Sequence, residues 1–266
     1  MRAVSTVLDV TLCLLLIGAA IATLTVPAPG PTESTADDTL DRLLATTGNA
    51  SESVPARPAR HPRERRSYGT PAELLARATL ANLTLDGHSL NPATAGYRRA
   101  VRTLVRRALE WAPIRTSIAA TWEPYPGSPV RGRLTVGPRP PSGVRVGTAR
   151  ADVPVPWSLD RPPSSGSYRA VARPVSAALL RTTTPGPSAR ASRRLRPRER
   201  GRLSAYASAL AGLDGTPPSR LSRARIRGAL TDRLASDMRQ RFDRPTAAAK
   251  AVEGGTVTVV VWEWEP

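Results

Sequence analysis

The spacing of apolar residues changes along the chain, and each change marks a segment. From Val4 to Val26 the run is apolar apart from Asp9, and no charge occurs between Val10 and Val26. That uncharged part alone is about 25 Å long as a helix at 1.5 Å per residue. With Val4–Leu8 added it approaches the roughly 30 Å hydrocarbon thickness of a bilayer, which predicts a membrane helix over residues 1–26. Residues 27–69 lose the pattern. They are rich in Pro, Thr, Ser and Ala, with acids at Glu33, Asp37, Asp38 and Asp41. Such a composition buries too little surface to offset backbone ordering, so a flexible tether is expected.

Helical periodicity begins at "TPAELLARATLANLTL". Thr70 as N-cap, Pro71 in the first helical position and Glu73 two residues on form a capping box with a proline start. A second helix is expected from Asn91-Pro92, with Tyr97, Val101, Leu104, Val105 and Ala108 on one face. Arg98, Arg99, Arg102, Arg106 and Arg107 fall mostly on the others, as a charged outer face does. After Pro113 the period becomes two. Ile114, Thr116, Ile118, Ala120 and Trp122 alternate with more polar positions, as in a half-buried strand. "EPYPGSPVRG" is dense in turn residues, and "RGRLTVG" returns as the partner strand through Leu134 and Val136. "GVRVGTARADVPV" is a third candidate strand. "TVTVVVWEWEP" is β-branched and apolar enough to be expected in the interior of the sheet. "VSAALLRT", "RGRLSAYASALAG" and "RIRGALTDRLASDMRQRF" read as helices, the last with Ile226, Leu230, Leu234, Met238 and Phe242 in one stripe.

The expected fold is therefore α+β: an N-terminal transmembrane helix (1–26), a flexible tether (27–69), and a soluble domain (70–266). In that domain a small antiparallel sheet packs with several amphipathic helices. Composition agrees with a modest core, since 27 of the 266 residues are proline and only 4% are aromatic. One cysteine excludes an intramolecular disulfide framework and a cysteine-based zinc site.

Net charge adds a second theme. The chain carries +18, and Lys250 is its only lysine, so the excess is arginine. A basic surface attracts phosphates, anionic lipids or an acidic protein face, although arginine with abundant Ala, Pro, Val and Thr is also what a GC-rich genome produces. The densest run is "RASRRLRPRERGR" at 190–202. It reads as a solvated loop leading into a helix, with Arg193, Arg194, Arg196 and Arg198 as candidate anion or partner contacts.

Catalytic signals are missing. There is no HExxH, CxxC, GxxxxGK[ST], GxSxG or GxGxxG context. His61 falls beside proline in the tether and His88 in an Asp-Gly turn. The pairs Asp37-Asp38 and Glu263/Glu265 read as tether and strand-end solvation. No enzyme activity, cofactor or metal is expected. The sequons Asn49-Ala-Ser and Asn82-Leu-Thr would suit an exported domain.

The first residues add a resemblance. "RAVSTVLDVTL" resembles "RAVSPVIGVIL" at the head of haloarchaeal type IV pilin-like proteins, matching at Arg2, Ala3, Val4, Ser5, Val7 and Val10. Thr6 stands for the proline and Asp9 for the glycine. In that family a prepilin peptidase cuts after the small residue that follows the basic one. The resemblance therefore implies processing at Arg2, Ala3 and Val4, with the cut between Ala3 and Val4. Asp9 would then be the sixth residue of the mature chain, an intramembrane acid able to pair with a neighbouring subunit. Its other reading is an interfacial residue near a helix N-terminus. The chain also resembles membrane proteins of unknown function encoded in haloarchaeal pilus loci, through "ELLARATLANLTLDG" and "WEPYPGSPVRGRLTVGPRPP" within residues 70–141.

These features point to a membrane-anchored, outward-facing, non-catalytic structural or accessory component of an archaeal type IV pilus-like system. Its expected partners are the membrane and other pilin-like subunits or envelope proteins. It would be single-pass in the cell membrane, with the N-terminus cytoplasmic and the C-terminal domain extracellular. Two alternatives stay open: a single-span envelope protein of unrelated role, uncleaved or cut near Ala20-Ile21-Ala22, and a basic nucleic-acid-binding head. Nucleic acid is disfavoured because aromatics are not interleaved with the arginines for stacking. In molar salt, where the Debye length is about 3 Å, phosphate binding also weakens.

Overall fold

The β-branched run at the C-terminus forms the longest strand, Thr256–Trp264 (β8), and it lies between Arg115–Trp122 (β5) and Gly147–Pro154 (β7). β5 pairs on its other side with Val130–Val136 (β6), β6 with Leu83–Leu85 (β3), and β3 with His88–Ser89 (β4). The result is a six-stranded sheet in the order β4-β3-β6-β5-β8-β7, with every neighbouring pair antiparallel. This computed structural model describes residues 35–54, 63–110, 115–183, 197–210 and 222–265. The chain is a mixed α+β protein with a small antiparallel sheet and several helices.

Register divides the sheet into two unlike faces, because side chains alternate along each strand. On one face Val261 stands beside Ile118 and Ala149, Val259 beside Ala120, and Ile118 beside Val136. These are buried. Helices Thr35–Ala45 (α1) and Pro71–Ala81 (α2) cover them, with Ala95–Ala108 (α3) behind α2. α2 is almost wholly enclosed, with Leu74, Leu75, Ala76 and Ala78 at 0–1% exposure. Its approach to the sheet depends on Gly132, where a Cβ would fall 2.7 Å from the Thr79 carbonyl oxygen. Tyr168–Thr183 (α4), Pro197–Ala209 (α5), Arg223–Arg241 (α6) and Pro245–Ala251 (α7) are the remaining α-helices among the described residues. α4 and α6 lie side by side, with Ile226, Leu230, Leu234 and Met238 buried along α6.

The local signals explain where these elements start and turn. Glu73 N–H donates to the Thr70 hydroxyl, and Thr70 N–H donates to the Glu73 carboxylate, the reciprocal pair expected there. Such a cap contributes about 1 kcal/mol. The helix ends at Ala81, earlier than the helical pattern through Leu85 suggested, and Leu83–Leu85 becomes a strand. Asp86 and Gly87, with φ of 48° and 86°, then make a two-residue turn of the mirror-image class that suits strand twist. α4 starts at Tyr168, seven residues before the expected Val175, and carries Pro174 in its interior. Buried Val171, Ala172, Val175 and Leu179 hold it together through the missing N–H.

The tether expectation is corrected for its later half. Residues 35–45 are helix α1, and Gly48–Val54 (β1) pairs with Arg63–Gly69 (β2) as a two-stranded ribbon. The reason is placement. Ala36, Thr39, Leu40 and Leu43 form one i, i+3, i+4, i+7 stripe that is buried against β7 and β8. Four well-placed side chains dock a helix in a segment whose average composition looks tether-like. The ordered domain thus includes residues before 70. The membrane helix expected over 1–26 lies outside the described residues. Among the described residues no helix is long and apolar enough to cross a membrane.

Candidate functional site

α3 buries Val101 and Val105 and half-buries Tyr97, Leu104 and Ala108, the face anticipated from periodicity. Leu104 also packs against Gly48 of β1, where a Cβ would lie 3.0 Å from its Cδ1. Anchored on two sides, the helix turns Arg99, Arg102, Arg106 and Arg107 to solvent and half-buries Arg98. No acid occurs anywhere in α3. Partial burial, with Arg102 alongside, lowers the Arg98 guanidinium below its ordinary pKa. The helix contributes only positive side chains, and the Glu52 carboxylate of β1 reaches its N-terminal end, 3.4 Å from where a Cβ on Gly96 would lie.

The second face of the sheet is the other candidate surface. Register puts Arg133 beside Thr121, Thr121 beside Thr258, and Thr258 beside Asp152. Thr148, Trp262 and Ser117 form a parallel row. Arg115, Arg131, Arg133 and Arg150 are exposed here, and Trp262 is half-buried between them and the threonines. Part of this charge is compensated: Arg150 lies 3.8 Å from Asp152, and Arg131 lies 3.9 Å from Glu123.

The "WEPYPG" loop is pinned rather than displayed. Trp122 Nε1 donates to the Gly254 carbonyl at 2.8 Å, and its ring meets Trp157 edge-on at 5.4 Å. Gly254, at φ 140°, sits so close to Trp157 that a Cβ would lie 2.6 Å from the indole. Tyr125 is 1% exposed and donates its hydroxyl to Asp237 Oδ2 at 3.1 Å, while Arg241 Nε donates to the same oxygen at 2.8 Å. Glu123 accepts from Gly127 N–H at 2.6 Å. A second clamp, Arg233 bidentate on Asp86 at 2.8 and 3.0 Å, ties α6 to the β3–β4 turn. The Trp122–Gly127 loop thus joins the sheet to α6.

Burial, and then the Asp237 carboxylate, raise the Tyr125 phenol far above its usual value near 10. A group whose folded pKa is raised stabilises the fold fully below the unfolded pKa and loses that contribution as pH climbs above it. Unfolding free energy is expected to fall by about 1.4 kcal/mol per pH unit from roughly pH 10 upward through this one group. Tyr125→Phe should remove that part of the alkaline slope in denaturation curves taken between pH 9 and 11.5. An unchanged slope would show that the phenol titrates alike in the folded and unfolded chain.

Glu263 is a second correction. Its expected solvated strand end is instead 2% exposed beneath α1. Oε1 accepts from the Thr39 hydroxyl at 2.6 Å and the Thr116 hydroxyl at 3.2 Å, whereas Oε2 has no hydrogen-bond partner. The alternation Trp-Glu-Trp signals a two-sided strand, but only α1 decides that the glutamate side is covered. Asp37 and Asp38, placed in the tether from sequence, stand exposed on the first turn of α1.

The other sequence-derived sites separate. Arg2, Ala3, Val4, Asp9, Arg193, Arg194 and Arg196 lie outside the described residues. Arg198 is in the first turn of α5. Asn49 is exposed on β1. Asn82 ends α2 and donates its side-chain amide to the Arg133 carbonyl, so the nitrogen that a glycan would need is engaged in the fold. Among the described residues no three His, Cys, Asp or Glu side chains gather as a metal site.

By its fold the chain is an α+β protein whose sheet is covered by helices on one face, with arginines displayed on α3, on α6 and on the other sheet face. It belongs to DUF7284, a family of unknown function, which it matches over residues 8–264. No curated protein and no solved structure matches the chain.

Proposed function

We propose that this protein is a membrane-anchored, outward-facing component of an archaeal type IV pilus-like system that acts by contact rather than catalysis. In this reading residues 1–26 anchor the chain, Arg2-Ala3-Val4 direct processing, and the domain beyond meets pilin-like or envelope partners. The observation that carries it is the α3 arginine face, held rigid by Val101 and Val105 and left without acids of its own. A fixed, strongly basic face favours a complementary acidic surface and raises the rate of encounter with it. The apolar N-terminal run and its resemblance to pilin-like leaders supply the location.

Peptide mass spectrometry of the mature protein from host membranes tests this reading. A chain beginning at Val4 is expected. An intact Met1, or a cut near Ala22, would overturn the pilin-like part and leave an ordinary envelope anchor.

A further inference from the structure

A concave surface opens between α4 and α6. Two adjoining hollows of about 400 and 430 Å³ share Ala177, Ala224 and Arg227. Small side chains make the floor: Ala177 on α4, and Ala224 and Gly228 on α6. Gly228 is interior to a helix, where glycine costs about 1 kcal/mol relative to alanine. Among the described residues no atom lies within 4 Å of where its Cβ would be, so their packing does not require the glycine. Arg169, Arg173 and Arg227 stand along the rim. Arg169 pairs with Asp232 at 3.1 Å, but Arg173 and Arg227 meet no carboxylate among the described residues.

Elsewhere the chain carries a surface of matching character. The outward stripe of α1 holds Asp37, Asp41 and Leu44 at i, i+4 and i+7, with Asp38 beside them. All four are exposed, and Leu44 is one of three large apolar side chains left exposed among the described residues. Acids that flank a leucine complement arginines that flank an apolar floor. α1 docks on β7 and β8, away from the α4–α6 groove, so the two surfaces are separate patches of one chain.

We infer that the α4–α6 groove receives α1 of a second copy of this chain, with Leu44 over the floor and Asp38 and Asp41 at Arg173 and Arg227. Because the two patches differ, the contact is heterologous, and such contacts propagate into rings or filaments rather than stopping at a dimer. Contact in a groove brings the charges within a few ångströms, inside the roughly 3 Å Debye length of molar salt, where longer-range attraction is lost. This deepens the proposed assembly role and rests on it for holding copies side by side on one membrane.

The test uses the full chain in its host membranes, in a Cys13→Ala background. Ala45→Cys, on α1 beside Leu44, and Ala224→Cys are placed together, then treated with a short bismaleimide. A ladder of cross-linked oligomers is expected from the double variant and none from either cysteine alone. Arg173→Glu with Arg227→Glu should reduce the ladder at least tenfold. Folding failure is controlled by mixing two chains, one with Ala224→Cys, Arg173→Glu and Arg227→Glu, the other with Ala45→Cys, Asp38→Arg and Asp41→Arg. A cross-linked pair should reappear. No product, a dimer only, or a ladder indifferent to charge reversal would overturn the contact. The mature N-terminus, read on the same samples, separates the two proposals. A Val4 start without a ladder rejects this contact alone, and a ladder on chains that keep Met1 retains the contact while the pilin-like reading fails.

Discussion

Trp122→Ala is expected to lower the unfolding free energy by about 3–5 kcal/mol, the range for removing a buried tryptophan. Three losses coincide at this one side chain. The ring is 2% exposed within the main core, so its removal leaves a cavity that flanking strands can only partly close. Its edge-on contact with Trp157 disappears, and such pairs contribute about 0.5–1.5 kcal/mol beyond burial. The Gly254 carbonyl loses its indole donor. Chemical denaturation of the full chain followed by circular dichroism measures the change. Trp122→Phe should recover about half of it, because the ring returns without the donor. A loss below 1 kcal/mol would show that this end of the sheet repacks freely.

Asp237→Ala is the second large effect, about 2–3 kcal/mol. The carboxylate is 5% exposed and accepts from both Tyr125 and Arg241. Arg241 is 42% exposed at its side chain, so it can return to water at little cost. Tyr125 cannot, and its buried hydroxyl would lose the carboxylate and keep only the Ser128 hydroxyl. Tyr125→Phe alone should cost about 1–1.5 kcal/mol. The double variant should fall short of the sum by about 1 kcal/mol or more, since the hydroxyl that loses the carboxylate is then absent. Additive losses in that cycle would mean that the two groups are not coupled.

Much of the fold was legible because its signals are local. The capping box at Thr70 depends on three neighbouring residues. The apolar face of α3 depends on helical period, and the interior position of β8 on an unbroken β-branched run. The errors share a different cause. α1 was obscured because three apolar positions and one threonine vanish in the average over residues 27–69, and they matter only once β7 and β8 offer a surface. Glu263 looked solvated because alternation tells which residues share a face but not which face is covered. The end of α2 at Ala81 was misplaced because Leu83–Leu85 continues the apolar pattern and becomes a strand by pairing with β6.

The candidate surfaces divide along the same line. Sequence alone determined the arginine excess, the basic face of α3 and the apolar N-terminal run, since each is a property of composition or of one periodic segment. Only the tertiary structure decided that "WEPYPG" is pinned to α6, that Trp262 shares a sheet face with Arg133 and Arg150, and that Arg173 and Arg227 border one groove opposite in character to α1. Those relations join residues far apart in the chain. They arise from strand register and helix docking, which depend on many weak contacts satisfied together rather than on any short run of residues.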